Sequence, residues 1–490
     1  MQRFATSLIL LAACSSPAAQ TLTTLYGLSG ADGMAPNGLV QGADGNFYGT
    51  TQMGGTNLYH GAGGTVFKIT PGGAFTTLYN FCSQPNCADG DNPFGELVLG
   101  TDGNLYGTTY MGGSYGGGMI FKITPAAVVT TLYSFCALPA CTDGSGPQAG
   151  LLQAVNGDFY GLTNSGGANG KGTVFKDTAS GALTILHSFC SEAACADGAY
   201  PGTALIQAAN GDLYGTTDDR GSETGKFYAT GTVFTITERG AFTTLYDFCH
   251  ASYCAGVYPT ALLQTLTGEF YGTTDYAGAY GSGTVFKISP GGMATALYNF
   301  CTQDFNNACY DGNLPTGLIE GTDGNFYGAV FNGGANAKDY GGALFQITAG
   351  GAYSLVYSFC SLANCADGAW PAASPVQGTD GNFYGTTFEG GGECSPGAPH
   401  SCGTVYKLSL GLAPFVRTLP HSGKIGDTIS ILGANLTGTT AVAFNGVPAK
   451  FTVVSAAQIT ATVPSGAATG SIQVATPSGT LSSAGPFIVR

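Results

Sequence analysis

The stretch "GELVLGTDGNLYGTTYMGGSYGGGMIFKITPAAVVTTLYSF", Gly95 to Phe135, divides into four strand-like runs: "ELVLG", "NLYGTT", "MIFKIT" and "VVTTLYSF". Each run is rich in β-branched and aromatic residues, which suit a half-buried pleated surface. Asp102-Gly103-Asn104 supplies a turn between the first two runs, and Thr124-Pro125 with small residues a turn between the last two. The phrase at the centre of this unit recurs, and its tyrosines are Tyr48, Tyr106, Tyr160, Tyr214, Tyr271, Tyr327 and Tyr384. Their spacing stays between 54 and 58 residues. Four short strands repeated at a fixed period make a β-propeller blade, here with extra residues in two of the loops. A β-helix would need much shorter rungs.

The count of blades follows from each strand separately. The second strand occurs seven times, and so does the third, from "GTVFKIT" at Gly64 to "GTVYKLS" at Gly403. The fourth also occurs seven times, but its first copy, "TTLYGL" at Thr23, precedes any first strand. The chain thus begins with an orphan fourth strand and ends one short. Pairing the orphan with the last unit closes a seven-bladed ring and removes two exposed edges. The fold class expected is all-β: a seven-bladed propeller followed by a small immunoglobulin-like β-sandwich. The repeated phrase reads as scaffold, a hairpin turn and then a strand with Gly where blades approach closely.

Composition limits the function. Lys plus Arg number 15 against 29 Asp plus Glu, a net charge of −14 that repels phosphate backbones and excludes nucleic acid as a partner. Gly reaches 80 of 490 residues without a collagen period. Residues 1–20, "MQRFATSLILLAACSSPAAQ", have the pattern of an export signal. Two readings of it stand: a lipobox at Leu11-Ala12-Ala13-Cys14 with Cys14 lipidated, or cleavage after Ala18 or Ala19. The protein is expected outside the cytoplasm, free or anchored at the outer membrane or cell surface, touching membrane through a lipid at most and otherwise monomeric.

Cysteine usage agrees with export. Fourteen cysteines besides Cys14 fall in seven local pairs: Cys82/Cys87, Cys136/Cys141, Cys190/Cys195, Cys249/Cys254, Cys301/Cys309, Cys360/Cys365 and Cys394/Cys402. Pairs about one repeat apart sit on different units, whereas zinc prefers two pairs held together, so disulfides are expected and no metal.

In a propeller successive loops alternate between faces. The first-to-second and third-to-fourth turns are short; the other two sets carry the elaboration and share the opposite face, where binding residues concentrate. A motif of Asp-Gly then Pro stands there. Its prolines are Pro36, Pro93, Pro147, Pro201, Pro259, Pro315 and Pro371, preceded by Asp32, Asp89, Asp143, Asp197, Asp311 and Asp367, with Ala255 in the fifth unit. Asp89, Asp143, Asp197, Asp311 and Asp367 are candidate ligand residues, with turn capping as the competing role. The residue before each Pro varies: Ala35, Asn92, Gly146, Tyr200, Tyr258, Leu314 and Trp370. Trp370, Tyr258 and Tyr200 are candidates for stacking on a sugar; the competing role is cover for the neighbouring Pro or disulfide.

Catalytic patterns are scarce. His60, His187, His250, His400 and His421 are scattered, and no nucleophile elbow, zinc-protease or P-loop motif occurs. Asp89-Gly90-Asp91-Asn92 and Asp218-Asp219 are weak calcium hints. No cofactor is expected, and a non-enzyme is favoured. The leading function is an exported or surface-anchored protein that binds a ligand, a glycan or other cell-surface component, on the loop-rich face. A polysaccharide lyase or hydrolase on that face and a structural adhesion protein are the alternatives.

The repeat region, residues 21–410, resembles the Gloeobacter/Verrucomicrobia tandem repeat (GloVer), through "DGNFYGTT", the Gly-rich loop, "GTVFKIT", "TTLYNF" and the Asp-Gly…Pro turn. That resemblance implies an exported protein of unestablished activity. After a linker at 411–414, residues 415–490 resemble the IPT/TIG family. The matching residues are Gly426, Gly433, Asn435, Leu436, Phe444-Asn445-Gly446, Ala449, Val463-Pro464 and Gly470. This second resemblance implies a β-sandwich serving as spacer or interaction module.

Overall fold

A computed structural model describes residues 20–57, 63–219, 230–248, 256–265, 267–289, 292–302, 304–305, 308–336, 341–391 and 402–490. The export signal, Cys14, Cys249, Cys254 and Cys394 lie outside the described residues. Seven four-stranded antiparallel sheets form the propeller. Blade one consists of Met34–Gln41, Phe47–Met53, Thr65–Ile69 and Phe75–Asn80, ordered from the channel outward. The orphan strand Thr21–Gly27 pairs antiparallel with Thr404–Ser409 and completes blade seven.

The repeated phrase holds the ring in three ways. Its Asp closes the turn: Asp44 accepts from the Asn46 backbone at 3.1 Å, its side chain at 2.6 Å and the Tyr48 hydroxyl at 2.8 Å. Its Phe then stacks on the Tyr of the preceding blade, as Phe326 on Tyr271 at 4.4 Å and Phe383 on Tyr327 at 4.4 Å. The same pair closes the ring, with Phe47 of blade one 3.9 Å from Tyr384 of blade seven. The Gly of the phrase answers a neighbour inside its own blade, not the approach of the next one. A Cβ on Gly49 would lie 2.6 Å from Phe67 Cζ, whose strand pairs with it.

A glutamine at the end of the innermost strand adds a further link between blades. Gln153 accepts the Thr101 N–H at 2.8 Å, Gln207 that of Val155 at 2.9 Å, and Gln41 that of Thr379 at 3.1 Å across the closure.

Innermost strands come in two lengths. From Pro to this terminal position blades one, five and six count one residue fewer than the other four. The shorter spacing gives continuous strands, Met34–Gln41, Val257–Gln264 and Asn313–Glu320. The extra residue reduces the others to Val98–Leu99, Leu152–Gln153, Ile206–Gln207 and Val376–Gln377. It ends the ladder well short of the Pro.

The C-terminal sandwich has one sheet of Arg417–Leu419, Thr428–Leu432, Gln458–Thr462 and Phe451–Val453. The other contains Val447–Pro448, Ala441–Phe444, Ile472–Thr476 and Gly479–Ser482. Ile431, Leu436, Phe444, Ile459 and Val474 fill the space between them. This unit docks on the short-turn face of the ring. Phe415 N–H donates to the Thr379 carbonyl at 3.0 Å, and Leu419 and Leu432 join the apolar cluster around Tyr48 and Leu99.

Candidate functional site

On the loop-rich side the channel opens into a cavity of about 490 Å³, lined by residues from all seven blades. Its walls are the residues that follow each Pro, with two phenylalanines from second-strand ends. Phe94, Phe331 and Phe388 present aromatic surface, and Asn37, Gln52, Gln148, Thr203, Thr260, Thr316 and Ser374 present amides and hydroxyls. Several of these polar groups also hold the ring. Asn37 donates to the Pro93 carbonyl at 2.8 Å, and Thr260 to that of Pro315 at 2.8 Å. Among the described residues Gln148 and Ser374 make no such bond. Phe94 is 41 % exposed.

Glu96 is a carboxylate of this wall. It faces the channel, yet its carboxyl lies against Gly38 of blade one, where a Cβ would collide with it. Loss of hydration there pushes the Glu96 carboxyl up to about 7. A second acidic group stands at the mouth: Asp218 packs against Gly202, with Asp219 and Asp275 near it. Burial, and then the like charges of Asp219 and Asp275, push Asp218 up to about 7, and burial does the same to Asp275.

The tyrosines and tryptophan singled out in the sequence do not converge on this cavity. All three adopt left-handed backbone angles, with φ of 59° for Trp370 and 55° for Tyr200 and Tyr258. The position before Pro is left-handed in every blade, so the conformation belongs to the repeat. Trp370 and Tyr200 meet residues of the preceding blade, and Tyr258 one of its own. Trp370 stacks on Phe331 at 5.4 Å, and its indole N–H is buried without an acceptor among the described residues. Tyr258 meets Tyr276 edge-on at 5.9 Å. Tyr200 bonds Lys171, whose ammonium sits 4.5 Å from its ring centre. The rings that line the cavity are Phe94, Phe331 and Phe388. Their signal was present in the sequence as variation after Pro (Asn37, Phe94, Gln148, Gly202, Thr260, Thr316, Ala372) and at the end of the second strand.

The aspartates of the Asp-Gly…Pro motif serve their own loops. Asp89 accepts from Tyr79 at 2.8 Å, the Ser83 N–H at 2.9 Å, the Ser83 hydroxyl at 2.6 Å and the Gln84 N–H at 3.0 Å. Asp143, Asp311 and Asp367 repeat this arrangement with Tyr133, Tyr298 and Tyr357. In blade three His187 replaces the tyrosine, 3.0 Å from Asp197. Burial alone would raise Asp197, but the bonds from His187 and Ser191 outweigh it and hold the carboxyl at about 2. These five groups are almost wholly buried, so the geometry offers a ligand nothing at Asp89, Asp143, Asp197, Asp311 or Asp367. The fourth-strand tyrosine, repeated in "TTLYNF", is the partner that sequence reading missed.

Local disulfides brace the same loops: Cys82–Cys87, Cys136–Cys141, Cys190–Cys195, Cys301–Cys309 and Cys360–Cys365. Cys402 is also disulfide-bonded.

No curated protein matches the chain. Among solved structures it is similar to PorZ, a bacterial surface component of the type-IX secretion system of Porphyromonas gingivalis. That match has 14 % identity and a TM-score of 0.48, covering 91 % of this chain and 58 % of PorZ. The chain therefore spans less than two thirds of PorZ. A putative glucose dehydrogenase from Thermus thermophilus matches at 17 % identity and a TM-score of 0.39, covering 65 % of this chain and 96 % of that one. The aldose sugar dehydrogenase of Streptomyces coelicolor matches at 12 % and 0.37, covering 65 % and 94 %. Similarity at this level says nothing about activity. The family models are more decisive: the Gloeobacter/Verrucomicrobia repeat matches residues 14–151 and 137–309, and the IPT/TIG domain residues 415–489. The chain belongs to the Gloeobacter/Verrucomicrobia repeat family and carries a C-terminal IPT/TIG domain.

Proposed function

We propose that this is an exported binding protein whose channel mouth takes the end of a polar, uncharged ligand, a glycan being the best fit. The observation that carries the reading is the wall itself, to which every blade contributes: the rings of Phe94, Phe331 and Phe388 beside amides and hydroxyls. Aromatic faces stack on sugar C–H surfaces while amides and hydroxyls bond the sugar hydroxyls. Glu96, protonated part of the time near neutral pH, adds a carboxyl that both donates and accepts. Export is supported by disulfides, which persist in oxidising compartments. Free secretion and anchoring through Cys14 remain the two routes to the surface.

A glycan array probed with the mature chain tests binding, and polysaccharide digestion followed by reducing-end analysis tests the enzymatic alternative. Retaining and inverting glycosidases use two carboxyl groups facing one bond. Glu96 is the one carboxylate among the described residues lining the cavity, and Asp218 and Asp275 stand at its mouth. Captured glycans released intact support the proposal; a shortened product moves the protein to the enzymes.

A further inference from the structure

A second chamber, of about 330 Å³, lies where the sandwich covers the lower end of the channel. Leu39, Ile319, Val376 and Phe415 give it apolar walls, and Glu96, Glu320 and Arg417 are its ionisable groups. Glu96 and Ser374 line both cavities, so the chamber meets the upper one at those side chains.

Arg417 is the unusual member. It projects from the first strand of the sandwich toward the ring, and one guanidinium nitrogen donates to the Gln41 carbonyl at 2.6 Å. A guanidinium has five N–H donors, and among the described residues no carboxylate lies within ion-pair distance of this one. Protein surrounds the group closely enough that loss of hydration pulls it down to about 10. Part-buried and bonded to a backbone carbonyl, the guanidinium keeps N–H donors over for an anion in the chamber it lines.

We propose that this chamber binds a small organic carboxylate through Arg417. The carboxylate would meet the planar fork of the guanidinium, and its body the apolar walls. Glu96 and Glu320 disfavour a dianion such as phosphate, because both stand in the same chamber and are negative when ionised. Loss of hydration raises both carboxyls, Glu96 to about 7, so the Glu96 charge fades between pH 8 and pH 6. Binding should therefore strengthen as pH falls from 8 to 6, while a simple carboxylate stays ionised.

Isothermal titration of the full mature chain with glucuronate, acetate, glucose and inorganic phosphate tests the site. The expected result is binding of glucuronate and acetate, several-fold tighter at pH 6 than at pH 8, with glucose and phosphate much weaker. Arg417→Gln should lose at least tenfold, Arg417→Lys should lose less, and Glu320→Gln should bind at least as well as the parent. Phe331→Ala should leave acetate binding unchanged, which separates this site from the channel mouth. Absence of carboxylate binding by the folded parent would overturn the proposal. So would binding indifferent to Arg417→Gln, or phosphate binding as tightly as acetate.

Discussion

The two faces of the ring use the same repeat in opposite ways. On the short-turn face seven blades present nearly the same residues, and these bind one blade to the next: the Asp-Gly-Asn turns, the phenylalanine–tyrosine stacks and the glutamine links. On the loop-rich face the frame of Asp, Tyr and Pro recurs with few exceptions, but the side chains it points into the channel vary from blade to blade. Constancy marks where blades hold one another; variation marks what the frame presents to solvent. A copy that departs from the consensus in the first region should cost stability, and one that departs in the second should not.

The largest effect tests the ring itself. Removing Thr21–Leu28 would strip blade seven of its outer strand and of the stacking of Tyr26 on Phe75, 4.1 Å apart. A loss above roughly 4 kcal/mol is expected, beyond the ordinary range for a single substitution. Chemical denaturation measures it, and an unchanged midpoint would break the closed-ring description.

Two departures inside the constant region follow. Asp177 stands where the other blades have Ile or Leu, fully buried, its carboxyl oxygens without a side-chain donor. Burial pushes it up to about 7. Because the folded state holds that proton more tightly, the residue favours folding at low pH, and that advantage is lost as pH rises from about 4 through 7. Asp177→Ile should raise stability at pH 8 by roughly 2 to 3 kcal/mol, with a smaller gain at pH 4. Melting curves at the two pH values check both the sign and the trend. Tyr406 replaces the phenylalanine that covers the phrase's glycine, and its hydroxyl is buried without a partner among the described residues. Tyr406→Phe should gain up to about 1 kcal/mol.

Between these in size are the disulfides. Each five-residue pair should contribute about 2 kcal/mol by restricting the unfolded chain. Since they brace loops of one face, partial reduction should raise hydrogen exchange there before the short-turn face responds.

Much of this fold was legible because a repeat writes its structure several times. The orphan strand, the blade count and the local cysteine pairs are all relations within or between copies. What was not legible depends on partners far apart in the chain. Arg417 meets Gln41, and Phe47 meets Tyr384, only after the ring closes and the sandwich docks. The aromatic residues before Pro misled for a local reason: a left-handed backbone turns Trp370 into a cleft on Phe331, leaving the next residues to face the channel.

The channel mouth is the centre of the account, and the double substitution Phe331→Ala with Phe388→Ala tests it most directly. Affinity for the glycan selected on the array and melting temperature should be measured on the same sample. The account predicts a binding loss on the order of 2 kcal/mol or more with a nearly unchanged melting temperature. Undiminished binding with a lowered melting temperature would contradict it, returning both rings to the scaffold.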